Sequence, residues 1–231
     1  MKTESARMTE KEMMTKLLSG LDALHLHLNH DQCHQLIEYL NLLSKWNRIY
    51  NLTAVRNIEQ MLTHHLLDSL AIVQKVSHCS RLLDVGAGGG LPGLVVAIAC
   101  PNISVNLIDI VSKKTAFIRQ VAIELQLNNV AVHTGRVEQL VIDTPFDGII
   151  SRAFSSLNDF VSLSSHLLSE NGRFYAMKGL IPKDEISNLD KSWHVVEIVP
   201  LSVPQLHAQR HLIVIEKKTP ASSYEVSNIL S

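Results

Sequence analysis

Residues 82–93 read LLDVGAGGGLPG, and five of the last eight residues of this segment are glycine. Glycine has no Cβ, so a loop of this composition can turn sharply and leaves its backbone open to a ligand. The loop follows RLLDV (81–85), which predicts a buried strand, and leads into LPGLVVAIAC, which predicts a helix with Pro92 in its first turn. A glycine loop between a strand and a helix is typical of α/β domains that hold a ligand at the end of a strand.

The sequence after residue 81 alternates between strand and helix patterns. Strands are predicted at 81–85, 103–110, 130–135, 146–154, 173–179, 194–203 and 210–218, and helices at 91–100, 113–127 and 157–169. This alternation predicts a parallel sheet with helices on both faces. The last two strands are joined by a loop without room for a helix, so we expect them to form an antiparallel hairpin. The predicted fold is a Rossmann-like α/β domain with a seven-stranded, mostly parallel sheet.

The first 80 residues carry helical patterns and no strand pattern. Leucines recur at helical spacings through residues 10–45, and a further amphipathic stretch runs from about Ile58 to Val76. The sequence therefore predicts an N-terminal helical cap at 1–80, an α/β domain at 81–218 and a C-terminal tail at 219–231.

The composition is typical of a folded protein that lies outside membranes. Hydrophobic residues make up 46% and charged residues 19% of the 231, and no apolar run approaches the ~20 residues of a membrane helix. The three cysteines are scattered, and the N-terminus lacks a signal-peptide pattern. We therefore expect a cytoplasmic protein and, without a coiled-coil pattern, a monomer. The formal net charge of −1 argues against a surface coated with positive charge but allows a local basic face.

Two kinds of cofactor are compatible with the glycine loop. Gly88, Gly90 and Gly93 satisfy the G-x-G-x-x-G pattern of dinucleotide-binding proteins, in which a pyrophosphate lies on the helix N-terminus. Asp84, at the end of the strand, is poorly placed for a pyrophosphate and well placed for the ammonium of a methionine moiety. Pro92 removes one N–H donor that a phosphate would use. The loop therefore favours S-adenosylmethionine over a nicotinamide dinucleotide.

Acidic residues also follow the next two strands. Asp109 closes the second strand, 21 residues after Gly88, where a carboxylate accepts hydrogen bonds from ribose hydroxyls in both classes of cofactor protein. Its alternative role is to cap the next helix, for which Ser112 competes. Glu138 follows the third strand. Asp84 likewise has an alternative role, as an acceptor for N–H groups of the glycine loop.

Seven segments resemble one family, and the order of YNLT, HxxDS, GRVE and SRA within them is specific to it. They are WNRIYNLTAVR (46–56), MLTHHLLDSL (61–70), LLDVGAGGGLPG (82–93), FIRQVAIEL (117–125), GRVEQL (135–140), FDGIISRAFSSLNDF (146–160) and GRFYAMKG (172–179). From about residue 30 to residue 217, the chain resembles the RsmG family, also called GidB, of bacterial guanine-N7 methyltransferases of small-subunit ribosomal RNA.

This resemblance implies a class I S-adenosylmethionine-dependent methyltransferase that acts on 16S ribosomal RNA or the small ribosomal subunit. With the residues argued above, the candidate cofactor-binding residues are Asp84, Gly86, Gly88, Leu91, Asp109, Val137, Glu138 and Arg152. The candidate catalytic residues are Arg152, Arg136 and Lys178. Two positions depart from the family pattern: Gly89 stands where many members have proline or alanine, and His64 where an arginine is common.

The chemistry of guanine N7 agrees with these residue types. N7 carries an exposed lone pair and no proton, so its methylation needs positioning rather than a general base. Arg152, at the end of the fourth predicted strand, could grip guanine O6 or a phosphate with its fork of donors. Its alternative role is an ion pair with Asp147 or Glu138. Arg136 and Lys178 have solvated charges as their alternatives.

A second basic cluster lies in the predicted cap. Lys45, Arg48 and Arg56 flank Trp46 and Tyr50, a mixture suited to phosphate contact and base stacking. We expect the arginines to contact RNA and the aromatic residues to anchor the cap to the main domain.

Other interpretations of the chain remain as alternatives. Asn51 and Thr53 are expected to cap or turn the chain, and His64, His65 and Asp68 lack the spacing of a metal site, so no metal is predicted. A dinucleotide-dependent oxidoreductase and a non-catalytic ribosome-binding assembly factor are the alternative functions.

Overall fold

A computed structural model describes residues 8–152 and 154–218. A seven-stranded sheet lies at the centre of the fold, in the order β3-β2-β1-β4-β5-β7-β6. Its strands are β1 Arg81–Val85, β2 Ser104–Asp109, β3 Val130–Thr134, β4 Phe146–Ser151, β5 Leu168–Lys178, β6 Trp193–Pro200 and β7 His211–Lys217. The first five strands pair in parallel, whereas β7 is antiparallel to both β5 and β6. The predicted α/β fold and its antiparallel hairpin are confirmed.

The helices precede the sheet or connect its strands. They are α1 Glu10–Ala23, α2 His30–Tyr50, α3 Ile58–Met61, α4 Asp68–Leu70, α5 Val73–Val76, α6 Gly93–Ala99, α7 Ser112–Glu124, α8 Leu157–Ser164 and α9 Lys183–Ser187. A π-helical turn, Leu62–Leu67, joins α3 to α4. The predicted tail at 219–231 and the first seven residues lie outside the described part of the chain.

Several predicted boundaries differ from the structure. Strand β4 ends at Ser151, so Arg152 lies in the loop that follows it. Strand β5 was predicted to begin at residue 173 but begins at Leu168, which pairs with Phe146. The preceding helix was predicted over 157–169 but ends at Ser164. Pro92 was expected in the first turn of α6 but precedes Gly93, its first residue.

The helical cap packs directly against the α/β part. Leu36 and Leu40 of α2 are fully buried and belong to the same apolar core as residues of β2 and α7. The Gln35 side chain donates to the Leu125 carbonyl near the end of α7, at 2.9 Å. At the other end of α2, Trp46 packs against Phe117 with 5.5 Å between ring centroids. Trp46 therefore anchors the cap as predicted, and α2 runs antiparallel to α7.

The topology fixes where a ligand can bind. Strand β1 lies between β2 and β4, and the strand order reverses at this point. In open α/β sheets the crevice at the carboxyl ends of such strands is the usual ligand site. The glycine loop follows β1 and Arg152 follows β4, so both lie at this crevice. Within the residues that the structure describes, no helix is long and apolar enough to cross a membrane.

Candidate functional site

Most N–H groups of the glycine loop are already hydrogen-bonded within the protein. Gly86 has a φ of +71°, in the left-handed region that favours glycine. No atom of the described residues, its two chain neighbours aside, lies within 4 Å of where its Cβ would be, so steric crowding does not require glycine there. Seven N–H groups of the loop and of the start of α6 already donate to protein oxygens; they belong to residues 86, 87, 88, 90, 91, 93 and 94. Pro92 has no N–H group. These groups are therefore not free to cradle a pyrophosphate.

Asp84 lies beneath this loop and is fully buried. Its Oδ2 accepts a hydrogen bond from the Gly93 N–H at 2.8 Å, so the expected contact to the loop is present. Its Oδ1 has no hydrogen-bond partner in the described part of the chain. Burial raises the pKa of Asp84 to about 7, against the opposing effects of the Gly93 hydrogen bond and of Arg152. The unpartnered oxygen makes Asp84 a candidate acceptor for a ligand donor.

Asp109 connects the glycine loop to the segment after β2. Its Oδ2 accepts from the Gly88 N–H at 2.9 Å, and its Oδ1 accepts from the Val111 N–H at 2.8 Å. Val111 occupies the N-cap position of α7 and makes no side-chain capping bond. Asp109 therefore braces two loops instead of capping α7 through its side chain, and Ser112 is the first residue of the helix.

A first cavity of about 430 Å³ opens beside these loops. It is lined by Gly86, Asp109, Val137 and Glu138, which are four of the predicted cofactor residues, and by Arg136. Its apolar walls include Ile108, Ile110, Phe154 and Leu163. A cavity with apolar walls and carboxylates at its edge suits a nucleoside, since the walls cover the base and the carboxylates accept from ribose hydroxyls.

The other predicted cofactor residues lie outside the lining of this cavity. Asp84 lies beneath the loop, Gly88 donates its N–H to Asp109, and the Leu91 side chain is buried in the core. Arg136 pairs with Glu138 at 3.3 Å, in line with the solvated charge considered for it. Arg152 lines a different cavity.

That second cavity, of about 390 Å³, is rich in cationic groups. Arg152, Lys178 and Arg210 line it together with Asp68 of the cap. Arg210 was not singled out from the sequence. It directly precedes β7, which runs antiparallel to β5, and this placement brings it to the ligand-binding edge.

Asp68 holds both arginines of the second cavity. Its Oδ1 accepts from Nε of Arg210 at 2.9 Å, and its Oδ2 lies 3.6 Å from Nη1 of Arg152. Arg152 therefore has a carboxylate partner, but not the Asp147 or Glu138 considered from the sequence. Asp147 accepts from the Ser80 and Arg81 N–H groups at the opposite edge of the sheet. Burial raises the pKa of Asp68, and the two arginines oppose that shift.

The π-helical turn presents two histidines to the second cavity. His65 is buried, with its Nε2 at 2.7 Å from the Thr53 hydroxyl and its Nδ1 at 3.4 Å from Nη1 of Arg152. Burial and, to a lesser extent, the charge of Arg152 lower the pKa of His65 to about 4, so this imidazole is neutral at pH 7. His64 is half-buried and also lines the cavity. No group of three or more metal-ligating side chains occurs in residues 8–152 and 154–218.

Lys178 of the second cavity is connected through Glu185 to the start of α8. Lys178 Nζ lies 2.9 Å from Oε2 of Glu185. The same oxygen accepts from the Leu157 N–H at 2.7 Å, at the start of α8. Lys178 is therefore an oriented, half-buried cation rather than a free solvated one.

The chain resembles proteins of one family over most of its length. The model of the GidB family, described as rRNA small subunit methyltransferase G, matches residues 32–213. A protein named Ribosomal RNA small subunit methyltransferase G from Herminiimonas arsenicoxydans is 55% identical over 205 residues, covering 87% of this chain and 94% of that one. A protein of the same name from Klebsiella pneumoniae subsp. pneumoniae is 47% identical over 207 residues, covering 90% and 100%.

Solved structures show the fold. The O-methyltransferase TomG from Streptomyces achromogenes, solved in complex with SAM, has a TM-score of 0.57 at 12% identity, covering 92% of this chain and 100% of that one. TrmN from Thermus thermophilus has a TM-score of 0.52 at 18% identity, covering 65% and 48%. The fold is that of the class I methyltransferases.

Proposed function

The chain belongs to the GidB family of rRNA small subunit methyltransferase G proteins, and we propose that it transfers a methyl group from S-adenosylmethionine to N7 of a guanine in 16S ribosomal RNA. The observation that carries this proposal is the placement of the two cavities at one edge of the sheet. The first has the carboxylates and apolar walls of a nucleoside site, and the second has the cations of a nucleic-acid site.

The residues present fit S-adenosylmethionine better than a dinucleotide. The engaged N–H groups of the glycine loop leave little for a pyrophosphate, which speaks against the oxidoreductase alternative. Asp109 and Glu138 would accept from the ribose and adenine. Asp84 is fully buried outside the lining of this cavity, and its unpartnered Oδ1 is the acceptor that we propose for the methionine side. When bound, the cofactor supplies an electrophilic methyl group on a sulfonium.

The second cavity would hold the target nucleotide. Arg152 and Arg210 offer planar forks of donors that suit a phosphate or guanine O6, and Asp68 fixes their orientation before the substrate arrives. Guanine N7 has no proton to lose, so no side chain needs to act as a base. The chain therefore contributes by positioning the ring and excluding water.

The reaction also bears on partners and localisation. A ribosomal RNA substrate supports the cytoplasmic localisation expected from the sequence, since ribosomes are assembled there. The monomeric state expected from the sequence stays a prediction.

Equilibrium binding and methyl transfer together test the function. We expect S-adenosylmethionine to bind while NAD does not, and label from the methyl group to enter RNA of small ribosomal subunits. Arg152→Ala should abolish transfer and leave binding to the subunit intact. Cofactor binding without transfer by the parent protein would support the non-catalytic assembly factor instead.

A further inference from the structure

The last turns of α2 carry a cluster of exposed cationic and apolar side chains. Lys45, Arg48, Ile49 and Tyr50 lie on this part of the helix, and Arg56 follows in the next loop. We refer to these five residues as the α2 surface. We infer that the α2 surface binds a segment of the RNA substrate outside the target nucleotide. This inference rests on the proposed function and adds a second contact region to it.

The α2 surface lies at the same edge of the sheet as the two cavities. Trp46, one turn before Tyr50, packs on Phe117 of α7, and α7 begins just after the carboxyl end of β2. The Asn47 side chain donates to the Val55 carbonyl at 2.9 Å, and Val55 lines the second cavity. The end of α2 therefore borders the cavity proposed for the target nucleotide.

The charges of the α2 surface differ from those of the cavities. In residues 8–152 and 154–218, Lys45, Arg48 and Arg56 form no ion pair with a carboxylate. By contrast, the cations of the two cavities are paired with Asp68, Glu138, Glu185 or Asp109. In a chain of net charge −1, this is a local excess of positive charge that can neutralise phosphates.

Arg56 has a structural task as well. Its guanidinium donates to the Asn47 carbonyl at 3.2 Å and to Oδ1 of Asn51 at 2.6 Å, beyond the end of α2. Asn51 is the C-cap of α2 with φ 52°, as its predicted capping role requires. Variants that test RNA binding should therefore change Lys45 and Arg48 and leave Arg56 in place.

The apolar part of the α2 surface suits nucleic-acid bases. The Tyr50 side chain, expected from the sequence to anchor the cap, is instead 42% exposed, and its ring contacts that of Trp46 with 5.2 Å between the centroids. Ile49 is 71% exposed beside it. A supported aromatic face among unpaired cations is the arrangement by which proteins stack single-stranded bases and track the backbone. Protein interfaces, by contrast, are depleted in lysine.

Binding of protein-free 16S ribosomal RNA and of small ribosomal subunits, measured over a range of salt concentrations, tests this inference. The double variant Lys45→Ala/Arg48→Ala should bind both about tenfold more weakly and lower the slope of log K against log salt by about 1.4, since each phosphate contact in a single strand contributes about 0.7. Tyr50→Ala should weaken binding about tenfold, whereas Tyr50→Phe keeps the ring and should retain the affinity of the parent protein.

The matched control is Lys191→Ala/Lys217→Ala. These lysines are also exposed, but they lie at the opposite edge of the sheet, where Lys217 pairs with Trp193 at the start of β6. S-adenosylmethionine affinity should be equal in all these variants.

The inference would be overturned if the Lys45/Arg48 variant bound RNA with the affinity and the salt slope of the parent protein. Weakened binding of subunits alone, with protein-free RNA bound normally, would assign the α2 surface to a ribosomal protein and also overturn it. A parent protein that transfers no methyl group to subunits would instead contradict the proposed function.

Discussion

The Tyr39 hydroxyl of the cap donates a hydrogen bond to the Gly89 carbonyl in the glycine loop, at 2.8 Å, and both residues are buried. Leu43, one turn further along α2, lies 3.1 Å from where a Cβ of residue 89 would be. The loop is therefore supported by a helix from the other part of the chain. Glycine at position 89 has more backbone freedom than the proline or alanine of many family members. The contact with Tyr39 counteracts that freedom.

Tyr39→Phe should weaken S-adenosylmethionine binding about threefold to tenfold, because it leaves the buried Gly89 carbonyl without its donor. Calorimetric titration measures the affinity, and steady-state kinetics should show a raised KM for the cofactor with little change in the KM for RNA. Tyr175→Phe is the control, since Tyr175 is equally buried and its hydroxyl contacts His78 near the opposite edge. Equal effects of both variants on cofactor affinity would reduce Tyr39 to a general stabilising residue.

Asp109→Asn should weaken S-adenosylmethionine binding about tenfold or more. The NH2 group that replaces one carboxylate oxygen cannot accept the hydrogen bond from the N–H of Gly88 or Val111. The negative charge that would accept from the cofactor is also lost. The exposed Asp143→Asn serves as the control in the same titration. Unchanged affinity in Asp109→Asn would remove this residue from the cofactor site.

Asp68→Asn should lower kcat/KM for RNA about a hundredfold and leave the affinity for S-adenosylmethionine unchanged. The neutral amide holds Arg152 and Arg210 less firmly, so the target nucleotide meets a less ordered pair of cations. Asp147→Asn, which perturbs hydrogen bonds at the opposite edge, should affect stability without this kinetic loss. A parental rate in Asp68→Asn would argue against preorganisation of the arginines.

The pH dependence of unfolding should reveal the proton on Asp84. Its pKa is about 7 in the folded protein and about 4 in an unfolded chain, so the folded state holds an extra proton between these values. The parent protein should therefore lose stability relative to Asp84→Asn as pH rises from 4.5 to 6.5, by at most about 1.4 kcal/mol per pH unit. Above about pH 7.5 the difference should be constant.

His65 changes the free energy of unfolding in the opposite direction as pH rises over the same pH range. Its pKa is about 4 in the folded protein and about 6.5 in an unfolded chain. The stability that the neutral imidazole contributes is therefore lost as pH falls from about 6.5. The two groups nearly cancel in the parent protein, and urea titrations of both proteins at each pH are needed to separate them. A difference between parent and Asp84→Asn that does not vary with pH would show that Asp84 is ionised.

The sequence predicts the elements of the fold because their signals are local. Apolar runs, helical leucine spacings and the glycine loop each act over a few residues, and the order of strands and helices then indicates the sheet. The boundaries are less accurate, as the early start of β5 at Leu168 shows. The π-helical turn at Leu62–Leu67 has no distinct periodicity in the sequence and was predicted only as helix.

The partners of the site residues could not be predicted in the same way. Arg210 and Asp68 are 142 positions apart, and Tyr39 and Gly89 are 50 apart, so only the packed fold brings them together. For Arg152 the sequence offered carboxylates close by in the chain, whereas the fold places a cap residue beside it. Asp109 could be proposed as a cofactor residue from the sequence because the end of a strand next to a glycine loop is a position that topology fixes.

The identity of the methylated nucleoside tests the proposed methyl transfer to guanine N7. Small ribosomal subunits that lack the modification are incubated with the protein and S-adenosylmethionine labelled in its methyl group, and the RNA is digested to nucleosides for mass spectrometry. We expect labelled 7-methylguanosine in the 16S RNA, and none with Arg152→Ala. Label in a different nucleoside, or none despite bound cofactor, would contradict that proposal.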